Sequence, residues 1–236
     1  GLTNYVEEHG CDIGIATDGD ADRLGVIDDK TEFLHPNKIL VLLYYYLMRY
    51  RGWRGAAVRN LATTHLLDRI AEDFGETCYE VPVGFKYVSA KMVETGAIIG
   101  GESSGGLTVR GHIQGKDGIY AAALLVEAIA KTGRRLSALW DEITQKYGAA
   151  EMAEHDFHFS SAERTRIFKL LMEDKQLPEF PCEIAKVSYM DGCKVYFKNG
   201  GWVIARFSGT EPLLRVFCEM DTMENAEKIA KILTEF

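Results

Sequence analysis

Three aspartates at every second position, Asp18, Asp20 and Asp22, dominate the short stretch Asp18-Gly19-Asp20-Ala21-Asp22-Arg23. Residues 11–17 before it and 24–28 after it carry strand patterning, so the acidic stretch reads as a loop between two strands. Carboxylates packed this closely repel by several kcal/mol in a partly buried site. A chain that folds this way must bring positive charge to the loop, and Arg23 alone cannot neutralise three carboxylates. Oxygens at this spacing suit a hard cation such as Mg²⁺, which takes about six oxygen ligands and keeps positions for water or phosphate. The spacing also matches the start of an EF-hand. There, however, a glycine should stand where Arg23 does, a glutamate where Asp29 does, and helices where these flanks read as strands.

The rest of the chain excludes several classes. Its 236 residues are 47% hydrophobic and 26% charged, the balance of a globular chain. Lys and Arg number 27 against 35 Asp and Glu, a net charge of −8, so no basic field draws nucleic acid or an acidic membrane surface. The longest apolar run, residues 39–48, is too short to span a bilayer and contains Tyr44, Tyr45 and Tyr46. The five cysteines form no C-x-x-C pair, which argues against a disulfide framework and a zinc site. Reduced thiols and a cytoplasmic location are the simplest expectation. Gly1 opens in what reads as the last helix of something larger, so a C-terminal piece of a longer protein is expected.

Strand and helix patterns alternate up to about residue 149. Helices are expected at 36–49, with Pro36 as first residue, at 65–74, 88–94, 118–131 and 136–147, and strands at 55–60, 78–82 and 96–100. Asp117 is placed to cap the helix at 118. This layout predicts a three-layer α/β/α sandwich. Beyond residue 150 the pattern changes to a strand at 151–159, a helix at 162–172, strands at 184–189, 193–197, 202–207 and 213–219, and a terminal helix at 225–233, with a hairpin turn at Lys198-Asn199-Gly200-Gly201. A small α+β domain is expected there.

Two further motifs carry chemistry. Gly100-Gly101-Glu102-Ser103-Ser104-Gly105-Gly106 follows a strand, and its glycines would let a carboxylate and hydroxyls approach a sugar closely. Gly101, Ser103 and Gly105 also match a nucleophile elbow, with Asp141 and His155 or His158 in the right chain order for a serine hydrolase. An elbow should open into a helix, and residues 107–112 carry turn signals instead. Arg206-Phe207-Ser208-Gly209-Thr210-Glu211-Pro212-Leu213-Leu214-Arg215 sets hydroxyls and turn N–H groups between two guanidinium forks, the groups that hold a phosphate dianion. Lys86, in Gly84-Phe85-Lys86-Tyr87, and His112 and Lys116, before the helix at 118, are weaker cationic candidates.

The order of these three loops resembles the α-D-phosphohexomutase superfamily, the phosphoglucomutase and phosphomannomutase enzymes. Asp18 to Arg23 resembles its metal loop, Gly101 to Gly106 its sugar loop and Arg206 to Arg215 its phosphate loop. The resemblance implies the end of a second domain at 1–34, a third at 35–149 and a fourth at 150–236. It implies a reversible transfer between hexose 1-phosphate and hexose 6-phosphate, of glucose or mannose, through a hexose bisphosphate. Mg²⁺ would sit on Asp18, Asp20 and Asp22. Arg23 and Lys86 would act at the reacting phosphoryl group. Glu102, Ser104, His112, Lys116, Arg206, Ser208, Gly209, Thr210 and Arg215 would bind substrate. The family's phosphoserine loop, a Thr/Ala-Ser-His-Asn-like string in an N-terminal domain, has no match in these residues. The chain alone is therefore expected to be inactive. A non-catalytic module that binds sugar phosphates is the main alternative.

Overall fold

The computed structural model of the chain describes every residue except Thr210 and divides into two compact units, Gly1–Gly148 and Ala149–Phe236. In the first, α1 (Leu2–His9) ends at Gly10, whose left-handed φ of 59° closes the helix. Strands β1 (Gly14–Thr17), β2 (Leu24–Ile27) and β3 (Phe33–Leu34) form an antiparallel sheet in that order. The pair Thr17–Leu24 closes the β1–β2 ladder, so the acidic stretch is the loop of a hairpin. Strand β3, of two residues, carries too little periodicity to read from sequence.

The larger part of this unit is an α/β sandwich. Its elements are α2 (Pro36–Arg49), β4 (Ala57–Asn60), α3 (Leu66–Asp73), β5 (Cys78–Val81), α4 (Phe85–Thr95), β6 (Ile99–Gly101), β7 (Leu107–Val109), α5 (Gly118–Thr132) and α6 (Leu136–Tyr147). The sheet order is β5-β4-β6-β7, with β4 parallel to β5 and β6, and β7 antiparallel to β6. Adjacent residues of β6 show the layers directly. A Cβ on Gly100 would meet Met92 and Val88 of α4, and one on Gly101 would meet Leu40 of α2. Helix α2 is buried on nearly every side, and its tyrosines stay satisfied. Tyr44 donates to the Gly55 carbonyl, Tyr45 to Glu142 and Tyr46 to Glu127. Asp29, in the β2–β3 turn, accepts from the backbone and hydroxyl of Ser137 at the start of α6, which ties the small sheet to the sandwich.

The second unit holds β8 (Glu151–His158), α7 (Ser161–Phe168), β9 (Ile184–Ser188), β10 (Cys193–Phe197), β11 (Trp202–Phe207), β12 (Leu213–Met220) and α8 (Met223–Glu235). Its sheet is wholly antiparallel, in the order β8-β12-β11-β10-β9. Val195, Val203, Val216 and Cys218 pack with Ala226, Ile229 and Leu233 of α8 in its core. Helix α7 starts on a Ser160–Glu163 capping box and passes into a wider π turn at Lys169–Glu173, where one continuous helix was expected. All five cysteines are free. Among the described residues no helix is long and apolar enough to cross a membrane.

Candidate functional site

The acidic loop is built against the N-terminus of α5. Asp117 caps that helix by accepting from the Tyr120 N–H at 2.9 Å, as the sequence predicts. The next residue, Gly118, donates its N–H to the Ala21 carbonyl at 2.9 Å. A Cβ on Gly118 would lie 2.7 Å from the Arg23 carbonyl oxygen, so only glycine allows this approach. Ala21 is held at φ 58°, a conformation that costs a non-glycine residue roughly 1 kcal/mol or more.

The loop's charges are partly answered from within the unit. Arg23 donates its backbone N–H to Asp18 Oδ1 and its Nε to Asp18 Oδ2, at 3.2 and 2.6 Å. Desolvation pushes the Asp18 carboxyl up, but these two hydrogen bonds and the guanidinium charge outweigh it and hold the group below its usual range. Lys116 makes an ion pair with Asp22. The candidate ligand atoms of Asp18, Asp20 and Asp22 all lie within 4.8 Å of one another. Asp22 Oδ1 is buried with no hydrogen-bond partner among the described residues, although Arg23 Nε lies 3.4 Å away. An all-oxygen donor set with one orphaned buried oxygen fits a hard divalent cation.

The glycine-rich loop leaves β6 beside it. The sequence pattern predicts glycines that admit a ligand; the structure divides their roles. Gly100 and Gly101 make room for core side chains. Gly105 turns the chain at φ 101°, and a Cβ on it would lie 3.7 Å from Arg23 Cβ. At Gly106 a Cβ would overlap the Lys116 side chain, which crosses there toward Asp22. The turn then enters β7 instead of a helix, so Ser103 does not stand on a nucleophile elbow.

Glu102 is 8% exposed and accepts on Oε1 from Asn60 Nδ2 and from the Gly84 N–H, both at 2.9 Å. Ser104 is exposed and has no hydrogen-bond partner among the described residues. Lys86 lies exposed in the first turn of α4, which begins at Phe85, three residues before the expected start. His112 Nε2 lies 2.7 Å from Asp117 Oδ2, and its ring stacks on Tyr120 at 3.9 Å. The Tyr120 N–H first, and His112 second, hold the Asp117 carboxyl below its usual range. The first unit thus gathers Asp18, Asp20, Asp22, Arg23, Lys116 and the Gly105-Gly106 turn. Asp117 binds His112 on the same helix start, and Glu102 is joined to the start of α4, where Lys86 stands.

In the second unit Arg206 and Arg215 are directly opposed across β11 and β12. Two like charges at such a pair repel. Each has its own carboxylates. Arg206 Nε donates to Asp191 at 2.9 Å, and Arg215 Nη2 donates to Glu211 at 3.0 Å, with Asp156 at 3.6 Å. Ser208 donates its N–H to the Leu213 carbonyl and accepts at Oγ from the Glu211 N–H. A Cβ on Gly209 would meet nothing within 4 Å among the described residues. Thr210 lies outside the described residues.

Sequence reasoning did not single out Asn60, Thr63, the packing role of Gly106 and Gly118, or Asp191. One signal for Asn60 and Thr63 was available: a polar cluster directly after a buried parallel strand, where α/β sheets place ligand-contacting groups.

A three-layer α/β unit followed in the chain by a small antiparallel unit is the fold of the phosphoglucomutase/phosphomannomutase domains. The chain belongs to the α-D-phosphohexomutase superfamily. The family model for phosphoglucomutase/phosphomannomutase alpha/beta/alpha domain III matches residues 35–147, that for the C-terminal domain residues 168–235, and that for alpha/beta/alpha domain II residues 1–31. The chain is 33% identical over 232 residues to a phosphoglucomutase/phosphomannomutase of Thermococcus kodakarensis, covering 98% of this chain and 48% of that protein. It is 29% identical to a phosphoglucosamine mutase of an Exiguobacterium species, covering 99% of this chain and 49% of that one. The crystal structure of a phosphoglucomutase/phosphomannomutase family protein from Burkholderia thailandensis superposes with a TM-score of 0.76 over 99% of this chain and 49% of that one, at 24% identity, a likeness of fold. The chain spans about half the length of the curated relatives it matches.

Proposed function

We propose that this chain supplies the metal, sugar and phosphate surfaces of a phosphohexomutase that interconverts hexose 1-phosphate and hexose 6-phosphate through a hexose bisphosphate. The observation that carries the reading is the meeting of Asp18, Asp20 and Asp22 with Arg23, Lys116 and the Gly105-Gly106 turn inside one unit. Phosphoryl transfer needs placement and charge neutralisation more than covalent help from the protein. Mg²⁺, held by Asp18, Asp20 and Asp22, would supply charge stabilisation at the transferring phosphoryl group.

Arg23, braced on Asp18, adds a fixed positive charge there. Glu102 and Ser104 accept from or donate to sugar hydroxyls and so orient the ring. Lys86, His112 and Lys116 line the anion's path with positive or donor groups. Arg206, Ser208, Gly209, Thr210 and Arg215 grip the phosphate that is not reacting, which lets the bisphosphate turn over and return its other phosphoryl group. The donor of the first phosphoryl group lies outside these residues in this scheme, on a phosphoserine.

The test uses the longest open reading frame that contains these residues. With Mg²⁺ it should convert glucose 1-phosphate to glucose 6-phosphate, followed by ³¹P NMR, with mannose and glucosamine phosphates run in parallel. Asp20→Asn should lower turnover by roughly two or more orders of magnitude, the cost of losing a metal ligand. Tight binding of hexose phosphates without conversion would favour a sensing module. The absence of both binding and conversion would remove the reading.

A further inference from the structure

The carboxylate of Glu102 is aimed by residues that do not belong to its loop. Strands β4 and β6 run parallel and adjacent, with Arg59 opposite Gly101. Their next residues, Asn60 and Glu102, therefore leave the sheet side by side. Asn60 is 2% exposed and Thr63 is fully buried. Asn60 Oδ1 accepts from the Ala62 N–H at 2.9 Å and from the Thr63 hydroxyl at 2.8 Å. With its oxygen doubly engaged, the amide can turn only its NH₂ toward Glu102. The Thr63 hydroxyl, having given its proton to Asn60, accepts from the Ser103 N–H at 3.0 Å. Asn60 and Thr63 thus hold the side chain of one loop residue and the backbone of the next.

The consequence lies in how the two carboxylate oxygens are used. Oε1 takes both donors, Asn60 Nδ2 and the Gly84 N–H, while Oε2 has no partner among the described residues. A glutamine could make both Oε1 contacts through its carbonyl oxygen. It could not offer a second acceptor. A carboxylate at this buried position is therefore matched to a ligand that brings a hydroxyl donor to Oε2.

We propose that Asn60 and Thr63 are positioning residues. They clamp Oε1 of Glu102 and the Ser103 backbone, so that Oε2 is presented, pre-oriented, to a hydroxyl of the bound sugar phosphate. The inference rests on the proposed function for the identity of the ligand, and on the hydrogen bonds alone for the clamp. Gly84, the third point of the clamp, carries the same hold to the start of α4.

The experiment has two arms on the 236-residue chain. The first needs no ligand. Hydrogen exchange should show the Gly84 amide protected in the wild type and in Glu102→Gln. In Asn60→Asp, which keeps the acceptor for Ala62 and Thr63 but sets a carboxylate against Glu102, its exchange should rise about tenfold or more, as expected for the loss of a charge-assisted hydrogen bond. Thr63→Val should expose the Ser103 amide similarly and Thr63→Ser should restore it, with β4 and β6 amides unchanged throughout. Wild-type protection at Gly84 in Asn60→Asp and at Ser103 in Thr63→Val would overturn the clamp.

The second arm titrates glucose 1-phosphate by calorimetry. Asn60→Asp and Glu102→Gln should each weaken binding by roughly tenfold, and the double variant no more than the worse single one, because both act through one oxygen. Inorganic phosphate should bind all three variants as it binds the wild type. Losses that simply add would overturn the proposal. If the wild type bound no hexose phosphate while the exchange pattern held, the proposed function would fall and the clamp would stand.

Discussion

The Lys116 ammonium reaches the carboxylate of Asp22 by crossing the space that a side chain on residue 106 would fill. Gly106 thereby leaves room for a second cation, Lys116, beside Asp22. The pair also sets Lys116 in competition with any divalent ion that uses Asp22.

Removing that competitor should tighten metal binding. Lys116→Met is expected to raise the affinity for Mg²⁺ by about fivefold at low ionic strength, the effect of deleting one positive charge a few ångströms from the site in a medium of intermediate dielectric. Calorimetric titration of Mg²⁺ into both proteins checks this. Unchanged or weaker binding would show that Lys116 does not compete.

Two glycine substitutions should separate sharply. Gly106→Ala meets a flexible methylene stem, with the new Cβ overlapping Lys116 Cδ, and the lysine can swing aside. Its stability should stay within about 0.5 kcal/mol of wild type while Mg²⁺ binding follows the Lys116→Met result. Gly118→Ala instead meets backbone oxygens of the acidic loop at 2.7 and 3.0 Å. It should cost about 2–3 kcal/mol in urea unfolding, because neither the helix start nor the loop can yield cheaply.

Arg59 is a buried charge of the sandwich. Its guanidinium is 3% exposed, bonded to Asp68 at 2.6 and 2.9 Å and to Glu80 at 2.6 Å. Burial works against the charged form, and Asp68 more than restores it, so the group stays charged. Arg59→Met should lose about 2–3 kcal/mol of unfolding free energy, less than a fully buried pair because Asp68 is 38% exposed and can rehydrate. Asp68→Asn in the same background should recover part of that loss.

Acid should loosen the start of α5 through Asp117. The Tyr120 N–H and then His112 hold its carboxyl below the ordinary 3.8, so the folded state binds this proton less readily than the unfolded chain. The stabilisation is complete above the unfolded value and is lost as pH falls through the lower folded one. Asp117→Asn keeps a good cap and removes only the charge. The stability gap between it and wild type should be about 1 kcal/mol near pH 5 and shrink below about pH 4. Urea denaturation at a series of pH values measures it.

Much of the architecture could be read from local pattern. Pro36 begins α2 and Asp117 caps α5 where expected, and Gly148 follows the end of α6. In each case the signal is a backbone group or a φ angle that only a few residue types satisfy. Other boundaries moved for tertiary reasons. Helix α4 starts early at Phe85, next to Gly84, whose N–H is held by a glutamate from a distant loop.

The acidic spacing, the glycine-rich turn and the paired arginines were legible because each is a short string whose chemistry depends on residue type. The partners of those strings were not. Asn60 meets Glu102 from 42 residues away, and Lys116 meets Asp22 across the turn at Gly106. Local sequence encodes which groups a loop can offer. Which oxygen of Glu102 remains for a ligand, and which cation faces Asp22, depends on strand order and on the gaps left by missing side chains, and those exist only once β4, β6 and α5 have packed.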